Sequence, residues 1–146
     1  MPLAVPVAEL EALVVQLSAA TTRRDGFSRT AAATLTRLAT SGPVRLTDLA
    51  SAEEVSQPSM SSLVARLVDQ GLVLRRTDPA DGRAVLLSLT PAGAALVAQR
   101  RDARTRRLDA ALAELSSDDV ARIADAVPAL TRLADALRRS SKEVTR

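Results

Sequence analysis

The stretch RRTDPADGRAVLLSLTP, residues 75–91, constrains the fold more than any other part of the chain. It joins two short apolar runs, GLVL before the turn residues and AVLLSL after them. Both are rich in branched side chains and bounded by turn formers, so they read as strands. Asp81-Gly82 marks the connection as a hairpin, because Gly82 tolerates the positive φ of a tight turn. Turn chemistry leaves three cations unexplained: Arg83 at the tip, and Arg75 and Arg76 at the base.

Helical periodicity surrounds this hairpin. Val7, Leu10, Leu13, Val14 and Leu17 recur at three- and four-residue spacing and predict a helix over 7–20 with one apolar stripe. The break TTRRDGF follows. A second helix, 28–40, should turn Ala32, Leu35, Leu38 and Ala39 inward and stop at Gly42-Pro43. A short extended piece precedes a helix of about seven residues, which Thr47 can cap. Ser56 caps the next helix, and Pro58 is tolerated in its first turn. Val55, Met60, Leu63, Val64, Leu67 and Val68 form the buried side of this helix, and Gly71 ends it. After the hairpin, Thr90 caps a helix expected to reach Leu115, with the polar middle QRRDARTRRLD. The run 99–109 holds five arginines and reads as a solvated helix surface with intrahelical Asp–Arg pairs. Ser117 is the expected cap of the last helix, whose apolar stripe includes Val120, Ile123, Val127, Leu130, Leu133 and Leu137. Pro128 should kink or split it, and the tail SSKEVTR should fray.

Composition narrows the chemistry. The 146 residues contain no Cys and no His. Disulfides, thiolate zinc sites and thiol switches are thereby excluded, as are the commonest general base and metal ligand. Only carboxylates, hydroxyls and the single Lys142 are left for catalysis, with no activating base near a serine, so no enzyme and no cofactor are expected. Net charge is +3, with 20 basic and 17 acidic residues. That balance is a weak argument for nucleic acid, so the placement of the arginines matters more than their number. The start lacks the basic region of a secretory signal, and no apolar run approaches the roughly 18 residues of a membrane span. A cytoplasmic protein without a membrane partner is expected.

Residues 46–97, LTDLASAEEVSQPSMSSLVARLVDQGLVLRRTDPADGRAVLLSLTPAGAALV, resemble the MarR family of bacterial winged helix-turn-helix transcription regulators, in order and without gaps. The most specific piece is a wing with Asp-x-Arg at its tip, followed by Leu-Thr-Pro-x-Gly at the entry to a long helix. The resemblance implies a mainly α fold with a small β wing. A winged helix-turn-helix DNA-binding region would occupy 28–90. A dimerisation helix at 1–24 and C-terminal linker and dimerisation helices at 91–140 would complete the chain.

The resemblance also gives the hairpin arginines a purpose. In the family, the tip arginine of the wing enters the minor groove, where narrow A·T-rich DNA concentrates negative potential. Arg83 matches that residue, and Asp81 matches the acid that holds it by a salt bridge. The helix from Ser56 matches the recognition element, with its first turns in the major groove. Its candidate contacts are Ser56, Gln57, Pro58, Ser59, Ser61, Ser62 and Arg66, with Gln57 the best candidate for an adenine. Ser62 stands where many relatives carry a basic residue, which shifts the expected load toward the wing and the phosphates. Alternation along a strand should point only one of Arg75 and Arg76 at DNA and leave the other paired within the protein. Arg45 is a weaker phosphate candidate.

The first and last helices carry stripes that a single winged helix cannot cover. Leu10, Leu13, Leu17, Ile123, Val127, Leu130, Leu133 and Leu137 are the expected dimer contacts. A two-fold dimer presents two recognition helices to a palindrome with half-sites roughly 10 bp apart. The expected function is a homodimeric regulator of double-stranded DNA, with repression the expected mode. A winged-helix protein-interaction module with weak DNA binding is the alternative. A small lipophilic effector stays open, since Phe27 is the one aromatic and no His or Tyr is present to orient a phenol.

Overall fold

A computed structural model of the chain describes residues 6–21 and 26–144. The expected break at TTRRDGF falls largely outside the described residues. Six helices and three strands follow in the order α1 Val7–Thr21, α2 Arg29–Ser41, β1 Val44–Arg45, α3 Leu46–Ala52, α4 Gln57–Asp69, β2 Val73–Asp78, β3 Asp81–Leu89, α5 Pro91–Leu112 and α6 Ser117–Val144. The chain divides into two compact units, Met1–Arg104 and Thr105–Arg146. The fold is mainly α with one small antiparallel sheet in the order β1-β3-β2.

The core of the first unit is built by α2, α3, α4 and the sheet. Ser28 caps α2 by accepting the Ala31 N–H at 3.1 Å. The buried stripe of α2 is Ala31, Thr34, Leu35 and Leu38. That set repeats at i, i+3, i+4 and i+7, which is the helical period. It corrects the expected phase: Ala32 is half-buried and Ala39 is exposed, because keeping both leucines inside brings Ala31 and Thr34 in with them. Leu49 of α3, Met60, Val64 and Leu67 of α4, and Val73 and Leu87 of the sheet complete the core. Val55 and Val68 pack at its margin.

Local signals hold at several ends and shift at others. Ser56 caps α4, and Gly71 follows it at φ 69° with its N–H on the Val68 carbonyl. The α3 cap position is Arg45, whose side chain makes no capping bond; Thr47 lies inside the helix, contrary to expectation. The α5 helix ends at Leu112 rather than Leu115. Ser116, not Ser117, caps α6: its Oγ accepts the Asp119 N–H at 3.1 Å and donates to Asp119 Oδ2 at 2.8 Å. The α6 helix runs unbroken through Pro128 to Val144, so the proline does not split it; residues 145–146 of the tail expected to fray lie outside the described residues.

The hairpin turns elsewhere than its glycine suggested. Asp78 pairs with Asp81, so Pro79 and Ala80 form the loop. Gly82 lies within β3 and is not among the positive-φ residues. Asp78 replaces the glycine as the turn-forming residue, because its Oδ1 accepts the Ala80 N–H at 2.9 Å. Thr77 pairs with Val85 and Asp78 with Asp81, so the register skips Gly82, Arg83 and Ala84 and the ladder bulges there.

The Leu-Thr-Pro-x-Gly motif has a packing reason. Thr90 Oγ1 accepts the Gly93 N–H at 3.0 Å and donates to the Gly71 carbonyl at 2.7 Å. The Leu72 carbonyl accepts the Thr90 N–H. A Cβ on Gly93 would lie 2.1 Å from that same carbonyl oxygen. The start of α5 therefore crosses the start of the hairpin at a distance only glycine permits.

Candidate nucleic-acid interface

The first turns of α4 and the bulged hairpin enclose a groove. Gln57, Pro58 and Ser61 line it from α4; Arg75, Arg83 and Ala84 line it from the hairpin; Arg45 and Thr47 close one end. Its volume is about 420 Å³. Three arginines and one amide therefore converge on one concave surface, next to a capped helix N-terminus. Such a surface suits an anion that also presents hydrogen-bonding edges.

The strand pleat explains Arg75. It shares the face of Val73, which is in the core, and projects beyond the core edge toward α4. Arg76 has the opposite phase and does not line the groove. Both are exposed and, among the described residues, neither forms an ion pair, so the expected internal partner for one of them is missing.

The remaining candidates are placed as follows. Ser56 and Ser59 are exposed but engaged with each other: the Ser59 N–H donates to Ser56 Oγ at 3.3 Å, and that hydroxyl donates to Ser59 Oγ at 2.8 Å. Ser62 and Arg66 are exposed on α4 outside the groove. Asp81 does not form the expected side-chain salt bridge with Arg83. Its Oδ1 instead accepts the Arg83 backbone N–H at 3.1 Å, which shapes the tip and leaves the guanidinium exposed.

One pair escaped the sequence reading. Arg45 Nε and Nη2 both donate to Asp78 Oδ2, at 3.0 and 2.7 Å. Asp78 is 7% exposed, one of two buried polar residues among those described. The Ala80 N–H and then the Arg45 guanidinium hold its carboxyl below the usual value, against the opposing effect of burial. The same pair raises Arg45 above its ordinary value, chiefly through the hydrogen bond to Asp78. Arg45 is thus a wall of the groove fixed from behind. The Asp-Pro dipeptide at 78–79 was the available signal, and it was overshadowed by Asp-Gly three residues later.

The terminal helices present different surfaces. No residue of α1 is buried, and Val7, Leu13, Val14, Val15 and Leu17 are exposed, with Leu10 half-buried. On α6, Ile123, Val127, Leu130, Leu133 and Leu137 are exposed along one stripe. Among the described residues, no helix is long and apolar enough to cross a membrane.

A short helix, a second helix entering a groove and a bulged hairpin beside it make this a winged helix-turn-helix protein. Residues 27–85 match the family model described as MarR family. An HTH-type transcriptional regulator of Mycobacterium leprae is 44% identical over 84 residues, covering 58% of this chain and 59% of that protein. The chain thus spans about six-tenths of the length of the curated relatives it matches. In fold it is similar to the Mycobacterium tuberculosis protein RV1404, with TM-score 0.76 and 23% identity over 90% of this chain and 94% of that one. It is also similar to Thermotoga maritima Tm0710, with TM-score 0.72 and 23% identity over 91% of this chain and 94% of that one. Over residues 27–85 the chain is similar to the MarR family.

Proposed function

We propose that the chain is a sequence-specific DNA-binding transcription regulator, acting in the cytoplasm as a homodimeric repressor on a palindromic operator. The observation that carries this reading is the groove in which Gln57, Ser61, Arg75 and Arg83 meet. The first turn of α4 enters the major groove, where Gln57 reads a base edge and Ser61 takes a phosphate or base. Arg83, raised on the bulge with an unpaired guanidinium, reaches the adjacent minor groove. Arg75 neutralises the phosphate between them. Leu10, Leu13 and Leu17 on α1, and Ile123, Val127, Leu130, Leu133 and Leu137 on α6, pack against a second copy and set the spacing of the two grooves.

An effector, if one acts here, has a candidate cavity in the first unit. It measures about 500 Å³ and is lined by Arg29, Arg37, Arg100 and Arg104 together with Thr36 and Thr40. Arg37 is held by Glu53 at 3.0 Å, and Arg100 lies 5.3 Å from the centre of the Phe27 ring. The structure of NadR, 26% identical to this chain with TM-score 0.58, holds 4-hydroxyphenylacetate. With Arg37 paired to Glu53, which also lines the cavity, the guanidiniums of Arg29, Arg100 and Arg104 favour an anionic ligand over the lipophilic one the family resemblance left open.

Selection from random duplex DNA tests the main reading. The expected result is a palindrome preferred over random sequence by at least about 10³. Weak binding without preference would instead assign the wing and α4 to a protein partner.

A further inference from the structure

The geometry points to Asp78 as the residue that positions the wing for DNA, by fastening Arg45 across the sheet so that Arg83 stands beside α4 before any ligand arrives. This rests on the DNA-binding reading above.

Three observations support it. First, β1 and β2 occupy opposite edges of the sheet, with β3 between them. Arg45 is the last residue of β1 and Asp78 the last of β2, so their ion pair spans the sheet edge to edge. Second, Asp78 uses both carboxylate oxygens: Oδ2 takes Nε and Nη2 of Arg45, and Oδ1 takes the Ala80 N–H of the loop. One side chain thus ties the hairpin turn to the residue at the cap position of α3. Third, the bulge lies directly after this tie. Asp78 pairs with Asp81, and the next three residues, Arg83 among them, fall out of register. The path of the bulge therefore starts from Asp78, and its far end is held by the ladder from Val85 onward.

A hairpin projecting from a small sheet otherwise has few contacts to limit its motion. Fixing it in advance lowers the ordering cost on binding. The grip also has a directional consequence. It occupies Nε and one edge of Nη2 of Arg45, while the side chain as a whole stays 42% exposed along the groove wall. Arg45 is neutralised and oriented, and among the described residues the cations of the groove without an ion pair are Arg75 and Arg83.

The test uses the full chain. Asp78→Asn keeps the size of the side chain and an acceptor for Ala80 but removes the charge that grips Arg45. Arg45→Lys keeps the cation and removes the two-pronged contact, and it serves if Asp78→Asn fails to fold. Two quantities are read: amide exchange of the wing in free protein at residues 75–77 and 85–87, and affinity for the selected operator in the Arg83 and Arg83→Ala backgrounds. The expected result is faster exchange confined to the wing and a loss of about tenfold in operator affinity. That loss should shrink to less than about twofold when Arg83 is already Ala, because the clamp acts through the tip. Equal losses in both backgrounds would make Asp78 a general structural residue, and unchanged wing exchange would show that the clamp fixes nothing; either overturns the proposal. If wild type selects no duplex at all, the DNA-binding reading fails, and the exchange measurement still decides whether the clamp orders the wing.

Discussion

The winged part of the chain and the terminal helices treat their apolar residues in opposite ways. Between Ala31 and Leu87 the large side chains close on one another, and Leu35, Leu49, Met60, Val64, Val73 and Leu87 are almost wholly buried. On α1 and α6 the same residue types stand 42–73% exposed along continuous stripes. Single exposed leucines are ordinary on a protein surface, but aligned rows of them on two helices are not. The first region is a finished core, and the second leaves its apolar rows exposed, as the proposed dimer would require. On the proposed reading, the part that meets DNA is built by the chain alone, while the spacing between two such parts depends on a partner.

The largest expected effect breaks this comparison at its weaker side. Sedimentation of the full chain at micromolar concentration should show a dimer, and removal of residues 1–20 should yield monomer or aggregate. A folded monomer at full length would mean that the exposed stripes need no cover, and the contrast would collapse.

Next in size is a change on the finished side. Gly93→Ala forces a Cβ into the Leu72 carbonyl, and backbone cannot step aside cheaply. The cost should be about 3 kcal/mol, read as a thermal shift of several degrees or more. A wild-type melting temperature would show that α5 and the hairpin are not locked together.

Function follows. On the proposed reading, Arg83→Ala removes one minor-groove contact per subunit. Operator affinity should fall well over tenfold and the salt slope should flatten by up to about two units, with melting barely changed. Gln57→Ala should alter preference at one operator position by about 1–3 kcal/mol; a uniform loss would reassign it to phosphate.

Two residues inside the winged part can be improved, which sharpens the claim that its core is complete but not optimal. Glu54 holds φ 53° at the turn between α3 and α4, a region that costs an ordinary residue about 1 kcal/mol or more. Glu54→Gly or Glu54→Asn should raise stability by a part of that. Thr34 is fully buried, and among the described residues its hydroxyl has no hydrogen-bond partner. Thr34→Val should therefore be neutral or stabilising by up to about 1 kcal/mol. A clear loss at either position would reveal a partner for that side chain.

The smallest effect concerns acid. The Asp78 carboxyl lies below its ordinary value of 3.8, first because of the Ala80 N–H and then because of Arg45. A depressed folded value stabilises the protein above the unfolded value and is lost as pH falls through the folded one. The melting difference between wild type and Asp78→Asn should be constant above the ordinary carboxylate range and vanish below it. A difference that grows with acidification would reverse the sign and remove the clamp from the explanation.

Much of the winged part was legible because its signals are local. Ser56 and Thr90 cap helices three residues into which they reach, and the apolar period of α4 marks its buried side without reference to any other element. The stripes of α1 and α6 were equally plain, since a repeat of three and four residues needs no partner to be seen. Even so, local choices between neighbours were missed: the cap fell on Ser116 rather than Ser117, and α2 turned Ala31 and Thr34 inward where Ala32 and Ala39 were expected. Periodicity gives the stripe but not its rotation to within one residue. That rotation is chosen by what the opposite wall can accommodate.

What tertiary structure alone decided are contacts between residues far apart in sequence. Arg45 reaches Asp78 across 33 positions because β1 and β2 flank β3, and no periodicity encodes that order. Beside that contact the hairpin turns at Pro79-Ala80, Gly82 lies within β3, and Arg83 sits on a bulge lining the same groove as Gln57. Gly93 likewise looks like an optional small residue near a helix start until the Leu72 carbonyl is laid against it. By itself, the sequence specified the elements, the caps Ser56 and Thr90 and the period of the apolar stripes, because hydrogen bonds three or four residues long and a fixed helical pitch are local properties. The groove needed the assembled sheet, because its charges are gathered from β1, α4, β2 and β3 and become neighbours only when those elements pack.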